Sequence, residues 1–557
     1  MIIKNKFSSK TRILLTLVFL FYCFTIHAQK RYTIETSVQL VDALFAPYQE
    51  LQPGDTLELE PGLRSLLILR NIHGTISQPI VIINGNGIVE INSNHYFGIS
   101  IRQSSFLKLS GNGDDRFKYG IQILNIRGSG LSVGDYSSDF ELEHIEIGNT
   151  LNAGLVAKTE PDCNFKRDEF TQYNTVIHHC YIHHCGNEGM YVGSSFFKGQ
   201  QLSCNGIPTL VLPALLRNVT IYENIVEYAG WDGIQVSSAI NTNIHDNQVL
   251  YDSQKQVEWQ MTGIILGEGS TGKIWNNTIK NGEGAGIFTN GLGDIYIYDN
   301  IILNPGKNNF SPSSDYGIYA DDKSSEDGLY FKIHNNLILN SRKQGIRLIN
   351  NLSENSNQIA NNIVLKENST QGNNSMTSDF ISVVGKSALV NTNFCSTSAT
   401  QLCFADATND NFRLLEDSRA IDAGTEIPNT DFTTDIYGEQ RVQGNHTDIG
   451  PAESCWSRSV INASTISSSK DIAFPNPVES DSYFSIYFTN ELPGEILFTR
   501  IDPLGTRSII LEKNFYENGK QITRLNARDL LPGINFIQIS KPTSSSIVRV
   551  IKSETEN

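Results

Sequence analysis

Two acidic residues stand directly before glycines in similar short segments. Glu188 lies in a Gly-Asn-Glu-Gly segment that begins at Gly186, and Asp232 lies in a Gly-Trp-Asp-Gly segment that begins at Gly230. On neighbouring turns of a repeat, two carboxyl groups can divide the acid and base roles of glycoside hydrolysis, or hold a calcium ion through their oxygens. Their proximity would also raise the pKa of one of them, as an acid catalyst requires. The alternative interpretation is that both are turn residues in a solvated bend.

A recurring pattern predicts the elements that position these residues. In residues 154–362 a glycine precedes an apolar, an outward-facing and a second apolar or small residue, and a second segment of each unit ends on asparagine. Such alternation is typical of strands, and a period of about 20 to 45 residues indicates stacked repeats. Each unit is predicted to be a strand, a turn, a second strand, an asparagine corner and a third strand, with about 4.8 Å between units. The glycines are Gly154, Gly189, Gly233, Gly263, Gly286, Gly317 and Gly345, and the asparagines are Asn224, Asn247, Asn277, Asn300, Asn336 and Asn362.

The same alternation predicts an exposed column on the glycine strand, because the residue after each glycine points inward and the next one outward. The column consists of Val156, Tyr191, Gln235, Ile265, Phe288, Tyr319 and Arg347, and two positions further along come Lys158, Gly193, Ser237, Gly267, Asn290, Asp321 and Ile349. Aromatic faces suit the apolar sides of sugar rings, while amides, carboxylates and guanidinium groups suit hydroxyls and carboxylates. The alternative is that the aromatic rings only stabilise the stack. The predicted sugar-binding residues are Tyr191, Gln235, Phe288, Asn290, Tyr319, Asp321, Arg347, Trp231, Lys158 and His184, which leads from the third strand towards Glu188.

A lyase would need different groups, namely a base for the proton beside a uronate carboxylate and a cation to neutralise that carboxylate. Only Lys158 and Arg347 offer suitable cations on the glycine strand, and they are many turns apart. The lyase hypothesis is therefore weaker than the hydrolase hypothesis. A further register, consisting of His178, Tyr222, His245, Trp275, Tyr298 and His334, is predicted to be a stacked ladder on the second strand.

The repeat resembles the right-handed parallel β-helix of the pectate lyase-like superfamily, with its asparagine ladder, which implies an all-β solenoid. The segment Gly-Thr-Ile-Ser-Gln-Pro-Ile-Val-Ile-Ile-Asn-Gly, which begins at Gly74, resembles the entry segment of β-helical lyases of the chondroitinase B and alginate lyase type. The signature motifs of polygalacturonases, pectate lyases and pectin methylesterases are missing. No catalytic residue is therefore carried over from those families.

Segments at both ends of the chain are predicted to direct its export. Lys4, Lys6, Lys10 and Arg12 precede an apolar run at residues 13–26, the layout of a cleavable signal peptide, and no other stretch is long and apolar enough to span a bilayer. Segments that begin at Phe474, Arg500, Leu530 and Ile547 resemble, in this order, the type A C-terminal sorting domain of the type IX secretion system. The resemblance implies a small β-sandwich recognised by that machinery, and a protein that is secreted or attached to the cell surface.

The predicted domains combine these observations. They are a signal peptide at 1–28, an N-terminal cap at 29–50, the β-helix at 51–378, its tail at 379–456 with Asp and Arg residues satisfied in turns, a serine-rich linker at 457–470 and the sorting domain at 471–557. Within the cap, Tyr32 to Asp42 is predicted to form a short strand and then an amphipathic helix. Insertions at residues 158–173, 193–217, 252–262 and 305–316 flank the glycine strand and are predicted to wall a groove. Export leads to a compartment in which disulfides can form. The predicted pairs are Cys163 with Cys204 and Cys395 with Cys403.

The formal net charge of -16 argues against partners such as nucleic acid or an anionic membrane surface. Taken together, the sequence predicts an exported polysaccharide lyase or glycoside hydrolase that acts on an extracellular polysaccharide, which could contain uronic acids. An acidic polysaccharide would require local cations or bridging calcium. The alternative is a noncatalytic glycan-binding or adhesion protein, because fold class alone does not decide between the two.

Overall fold

The structure is a computed structural model that describes residues 29–164, 166–306, 315–351, 356–366, 380–427, 433–456, 471–474, 483–490, 492–502, 506–517, 519–531, 533–542 and 544–552. The predicted signal peptide and serine-rich linker lie outside the described residues. Within the described ranges, no helix has the length and apolar character needed to cross a membrane. The chain divides into two compact units, Met1–Thr397 and Ser398–Asn557.

Three parallel sheets form the first unit, and each coil of the chain adds one strand to each sheet. The first sheet contains the glycine strands: Leu40–Asp42, Leu67–Arg70, Phe97–Arg102, Ser129–Gly134, Leu155–Ala157, Met190–Val192, Ile234–Val236, Thr262–Leu266, Ala285–Thr289, Ile318–Asp321, Ile346–Asn350 and Ile381–Gly385. The second sheet precedes the asparagine corner: Arg31–Ile34, Thr56–Leu59, Ile80–Asn84, Ser105–Ser110, Ser138–Glu143, Thr171–His178, Leu215–Tyr222, Ala239–His245, Gly272–Trp275, Ile295–Tyr298, Phe331–His334, Gln358–Ala360 and Leu389–Asn391. The third sheet follows that corner: Gly62–Arg64, Val89–Asn92, Ile121–Leu124, Ile145–Thr150, Tyr181–Cys185, Ile225–Glu227, Gln248–Leu250, Thr278–Lys280, Ile301–Leu303, Leu337–Leu339, Ile363–Leu365 and Phe394–Ser396. The predicted β-helix is confirmed.

The recurring glycine has a packing cause. A Cβ atom at Gly189 would collide with Cγ1 of Val226, and one at Gly233 would collide with Cγ1 of Val249. Both valines are core residues of the third sheet. Glycine at this corner therefore lets the first and third sheets pack closely around the aliphatic interior.

The asparagine ladder is formed as predicted and extends by one residue to Asn393. The Asn277 side chain is typical: its Oδ1 accepts from the backbone nitrogen and the side-chain amide of Asn247, each at 3.0 Å. Its Nδ2 donates to the carbonyl of Ile244 and to Oδ1 of Asn300, again at 3.0 Å. Because each amide both donates and accepts, the ladder satisfies buried backbone groups at every corner.

We expect Asn277→Ala to lower the free energy of unfolding by about 3 kcal/mol, because it leaves several buried donors without acceptors, each costing about 1–3 kcal/mol. Urea unfolding followed by circular dichroism would measure the loss. Asn243→Ala, at a partly exposed position of the preceding coil, is the matched control and should change stability by about 0.5 kcal/mol or less. Equal losses in the two variants would show that the ladder contributes no special stability.

The amphipathic helix predicted in residues 29–50 is not formed. Arg31–Ile34 pairs in parallel with Thr56–Leu59, and Leu40–Asp42 pairs with the strand Leu67–Arg70. Leu40 is exposed whereas Val41 is fully buried, which is the alternation of a strand. The helical structure described in this region is one 3-10 turn, Tyr48–Glu50. Backbone pairing to the next coil therefore prevails over local helix propensity.

Cysteine pairing agrees with one prediction and contradicts the other. Cys163 and Cys204 form a disulfide, and Cys204 ends the first strand of an antiparallel hairpin made by Gln200–Cys204 and Ile207–Val211. Cys395 and Cys403 are free thiols, so their predicted bond is wrong. Cys395 is fixed opposite Val364 in a parallel strand, and closeness in sequence does not give two cysteines the required Cβ geometry.

The second unit begins with an antiparallel pair, Phe404–Asp406 and Asn411–Leu414, and then contains two antiparallel sheets. One sheet consists of Ile472–Phe474, Tyr483–Asn490 and Gly519–Asn526; the other consists of Gly494–Ile501, Arg507–Tyr516, Gly533–Ser540 and Ser545–Lys552. Residues of both sheets share one apolar core. Further 3-10 turns lie at Asp322–Ser324 in the first unit and at Ala407–Asn409 and Ala527–Asp529 in the second.

The acidic residues of the tail are turn residues, as predicted. Asp435 accepts from the backbone nitrogens of Tyr437 and Glu439 at 2.9 and 2.8 Å. Arg441 lies 3.4 Å from the Glu453 carboxylate. The Asp435 contacts hold a turn of the tail, whereas Oε2 of Glu453 is buried without a hydrogen-bond partner among the described residues.

Candidate functional site

The predicted column is present on the outer face of the first sheet. Its members are partners in the register of successive parallel strands: Val156, Tyr191, Gln235, Ile265, Phe288, Tyr319 and Arg347. Their inward neighbours, such as Met190, Ile234 and Ile287, are fully buried in the core. The column lies on the outer side of the first sheet, but Gln235 and Ile265 are only 5% and 7% exposed, so the prediction that the whole column is exposed is wrong at these two positions. The sugar-binding role of the column stays a prediction.

Glu188 and Asp232 occupy equivalent places on neighbouring coils. The Gly154 amide donates to the Glu188 carbonyl at 3.0 Å, and the Gly189 amide donates to the Asp232 carbonyl at 2.9 Å. Parallel strands place their backbones about 4.8 Å apart. The two side chains thus start from adjacent points at one side of the column.

Both acidic side chains are buried, so the interpretation of a solvated bend is wrong. Glu188 is 4% exposed and Asp232 is 0% exposed. Neither carboxylate oxygen of Asp232 has a hydrogen-bond partner among the described residues. Burial, reinforced by Glu188 and Asp252, raises the pKa of Asp232 well above its usual value. Burial therefore favours the neutral form of Asp232.

Asp252 extends the acidic group by one coil, and the sequence analysis missed it. Its Oδ2 accepts from the Ser253 hydroxyl at 2.6 Å, while its Oδ1 has no hydrogen-bond partner among the described residues. Burial, together with Glu283, raises the pKa of Asp252 to about 7. No sequence signal pointed to Asp252, because it lies in the 252–262 insertion and not in a segment like the one around Glu188. A Cβ at Gly282 would collide with the Asp252 carboxylate, so the glycine makes room for it.

Lys158 and Tyr191 lie beside Glu188. The Lys158 ammonium is 3.9 Å from the centroid of the Tyr191 ring and 2.7 Å from the Glu160 carboxylate. Burial raises the pKa of Glu188, while the charge of Lys158 opposes that rise. The Tyr191 hydroxyl is 2.8 Å from the hydroxyl of Ser195. This arrangement makes Glu188 easier to ionise than Asp232.

A second cluster lies further along the column, around a cavity of about 50 Å³. Phe288 and Tyr319 pack with ring centroids 5.3 Å apart. The indole of Trp259, which the prediction did not include, contributes to the lining and is 74% exposed. Its position in the 252–262 insertion, predicted to be a groove wall, was the available signal. The described lining residues are Trp259, Met261, Thr262, Ile265, Ala285, Phe288 and Tyr319.

The other predicted site residues do not all lie on the column. Trp231 adjoins Asp232 and donates its backbone amide to the Asn187 carbonyl at 3.1 Å, and Asn290 is partly exposed. Asp321 caps a short turn by accepting from the Lys323 amide at 3.0 Å. His184 lies on the third sheet, where its ring stacks on Tyr228 at 4.8 Å. The structure therefore does not bring His184 to the column, because its ring is held by the stack.

The two cations required by the lyase hypothesis are far apart. Lys158 and Arg347 are separated by six coils in register, or about 29 Å at the usual strand spacing. One sugar residue cannot contact both. Arg347 instead faces the Tyr316 ring, with its guanidinium 5.6 Å from the centroid.

The second sheet carries the predicted ring ladder. His178 stacks on Tyr222 at 4.6 Å, Tyr222 on His245 at 5.2 Å, and His245 on Trp275 at 4.3 Å. Rings that cover each other in this way leave few faces for a ligand. The ladder therefore stabilises the second sheet.

Metal-ligating side chains converge beside this ladder and not at the column. Among the described residues, the group whose potential donor atoms all lie within 4.8 Å consists of Glu141, Glu143 and His178. The Lys108 ammonium already lies 2.7 and 2.8 Å from the two carboxylates. Among the described residues, Glu188 and Asp232 do not belong to any such group of three potential metal ligands that could hold calcium.

Comparisons with known proteins agree with this architecture. Residues 214–394 match the family described as the right handed beta helix region, in agreement with the three parallel sheets of the first unit. A search of curated proteins finds no match.

Three solved structures illustrate the likeness. The GH136 lacto-N-biosidase from Eubacterium ramulus is 14% identical, with 70% of each chain covered and a TM-score of 0.43. The alginate lyase from Paenibacillus sp. str. FPU-7 is 13% identical, with 65% of this chain and 99% of that chain covered and a TM-score of 0.36. Pectate lyase Pel9A is 12% identical, with 77% of this chain and 97% of that chain covered and a TM-score of 0.38. At these identities the likeness concerns the fold.

Proposed function

We propose that the protein is a glycoside hydrolase that binds an extracellular polysaccharide along the first sheet and cleaves it beside Glu188 and Asp232. The observation that carries the proposal is the pair of buried carboxyl groups on neighbouring coils at one side of the aromatic column. A lyase is less favoured because Lys158 and Arg347 are too far apart to contact the same sugar residue.

In this proposal the two carboxyl groups have different roles. Asp232, kept protonated by burial, donates its proton to the glycosidic oxygen as the bond to the anomeric carbon breaks. Glu188, whose ionisation Lys158 favours, attacks the anomeric carbon. The coil spacing of about 4.8 Å is close to the carboxyl separation of about 5–5.5 Å found in retaining enzymes. Water, deprotonated by Asp232, then releases the sugar from Glu188.

Access to Asp232 requires a local rearrangement. The backbone nitrogens of Ser253 and Lys255 donate to the carbonyls of Trp231 and Gly230, each at 2.8 Å. Because Asp232 has no exposed surface, the bound polysaccharide has to displace this neighbouring segment before the proton is transferred.

The burial of Asp232 also favours a second candidate function, a noncatalytic glycan-binding or adhesion protein. Such a protein uses the aromatic column but no acid or base. In that case the neutral carboxyl of Asp232 would serve only to fill the corner between the third and first sheets.

Incubating the purified mature protein with neutral and uronic-acid polysaccharides tests the two candidates. New reducing ends without ultraviolet absorbance support the hydrolase. Products that absorb in the ultraviolet indicate a lyase and contradict the proposal. Retention on a glycan column without any product supports the binding protein.

We also propose that the chain is exported by its signal peptide and by type IX secretion. Motifs near Arg500, Leu530 and Ile547 and a C-terminal core of antiparallel strands support this proposal. Removal of residues 471–557 should leave the protein in the periplasm of the source bacterium, as measured by immunoblotting of cell fractions. Unchanged secretion would contradict the proposed route.

A further inference from the structure

The residues that line the cavity around Trp259 indicate which class of sugar it can bind. Its floor comes from three successive coils, through Ile265, Phe288 and Tyr319, and its wall comes from Trp259 and Met261 of the insertion. The cavity lies on the same exterior column as Tyr191 and Gln235. A polysaccharide that lies along the column would therefore pass over it.

The lining is almost entirely apolar. Among the described lining residues none is charged, and the polar side-chain groups are the Thr262 hydroxyl, the Tyr319 phenol and the indole N–H of Trp259. Ile265 occupies an outward-facing position where the column offers Gln235 one coil earlier, yet it is 7% exposed because the wall covers it. An aliphatic floor makes no hydrogen bonds to sugar hydroxyls, but it favours contact with a methyl group.

The charge environment argues against a uronate in this cavity. Arg347 is the strand partner of Tyr319, and its guanidinium contacts the Tyr319 hydroxyl and faces the Tyr316 ring. It lies at the margin of the cavity and is not among the described lining residues, none of which is charged. A carboxylate inside the cavity would lose its hydration among uncharged side chains, which is costly, so the group that enters the cavity is uncharged.

Trp259 itself suggests a ligand. It is largely exposed, and its φ of 67° lies in the left-handed region, which bulky residues rarely adopt. The left-handed φ recurs at other corners of the solenoid, such as Phe106, Tyr136 and Tyr228, so it is not specific to this site. The exposure of the large apolar indole costs free energy in the absence of a ligand. The exposed indole can stack on the apolar side of a pyranose ring.

The size of the cavity points to a substituent and not to a whole ring. The cavity of about 50 Å³ is several times the volume of about 10–15 Å³ that a cavity needs, on the same measure, to hold one water. A methyl or acetyl group fits into it while the attached ring remains outside, against Trp259.

We infer that the cavity formed by Trp259, Met261, Ile265, Phe288 and Tyr319 binds the methyl group of a neutral sugar, carried either by a 6-deoxyhexose or by an N-acetylated hexosamine. The inference rests on the proposed function in that it identifies the substrate class of the same groove. It concerns recognition alone, so binding tests it without any need for cleavage.

Saturation-transfer NMR on the full mature protein tests the inference with matched sugar pairs. The pairs are fucose with galactose, and N-acetylglucosamine with glucosamine; galacturonate is the anionic comparison. We expect saturation of the methyl protons of fucose or of N-acetylglucosamine, and little transfer to the other member of that pair or to galacturonate. Which pair responds distinguishes the deoxy methyl from the acetyl methyl. Equal transfer within both pairs, or no transfer to any sugar, would overturn the inference.

Variants locate the binding site. Trp259→Ala and Phe288→Ala should each weaken binding of the methyl-bearing sugar by about tenfold, since one aromatic contact contributes about 0.5–1.5 kcal/mol beyond its buried area. Phe45→Ala removes an exposed aromatic residue of the N-terminal segment, outside the predicted groove walls, and is the control. Affinity that is unchanged in both cavity variants would contradict the inference even if methyl preference is observed.

The inference and the proposed function can fail separately. Cleavage of a polysaccharide without methyl preference would overturn the inference and leave the hydrolase proposal intact. Methyl-dependent binding that requires Trp259, without cleavage of any polysaccharide, would support the inference and contradict the hydrolase.

Discussion

Glu188→Gln should lower the rate of glycosidic bond cleavage by about 10²- to 10⁴-fold, because the amide can neither attack the anomeric carbon nor act as a base. Asp232→Asn should cause a loss of similar size, since it removes the proton donor. Reducing-end assays with the polysaccharide that the wild-type protein cleaves would measure both rates.

Two controls separate a catalytic role from a structural one. Glu223→Gln changes an acidic residue of the second sheet whose side chain is 50% exposed, and it should leave the cleavage rate unchanged. Asp232→Asn should unfold at a temperature no lower than the wild-type protein, because the Asp232 oxygens have no hydrogen-bond partner among the described residues. Wild-type rates in both the Glu188 and Asp232 variants would remove these residues from the mechanism.

Asp252→Asn should make the stability of the protein less dependent on pH between about 4 and 8. The pKa of Asp252 is raised from its ordinary 3.8 to about 7 in the folded chain. The folded state thus binds this proton more tightly than the unfolded state. The associated stability is complete below the unfolded pKa and is lost as pH rises through the folded pKa, with an upper size of about 4 kcal/mol at about 1.4 kcal/mol per pKa unit.

Thermal unfolding at pH 5 and pH 8 measures this effect. The loss of stability between the two values should be smaller in Asp252→Asn than in the wild-type protein. Asp327→Asn, at an exposed position, should retain the wild-type difference. If Asp252→Asn shows the wild-type difference as well, Asp252 is not the group that binds the proton.

The repeat made much of the architecture predictable. Once the glycines were aligned, the period of two placed Tyr191, Gln235 and Phe288 on the exterior, and the asparagine corners defined the ladder. These predictions succeeded because each coil has to pair with the next, so an error of one residue would turn the core outward.

The parts that could not be predicted lie where the repeat is interrupted. Asp252 and Trp259 belong to an insertion without a strand partner, so no register assigns their side chains. The burial of Asp232 depends on neighbouring coils and insertions and not on its own segment. The N-terminal segment failed for a different reason: its apolar spacing fits a helix, but the adjacent coil offers backbone groups that favour a strand.

The last coil of the solenoid has a practical consequence. Ile381–Gly385, Leu389–Asn391 and Phe394–Ser396 each stand at the end of their sheet in the described part of the chain, and Val384, Leu389 and Val390 are exposed there. Strand edges of this kind act as templates for self-association. Polar residues in place of Val384, Leu389 and Val390 would therefore be expected to weaken self-association of the protein through this edge.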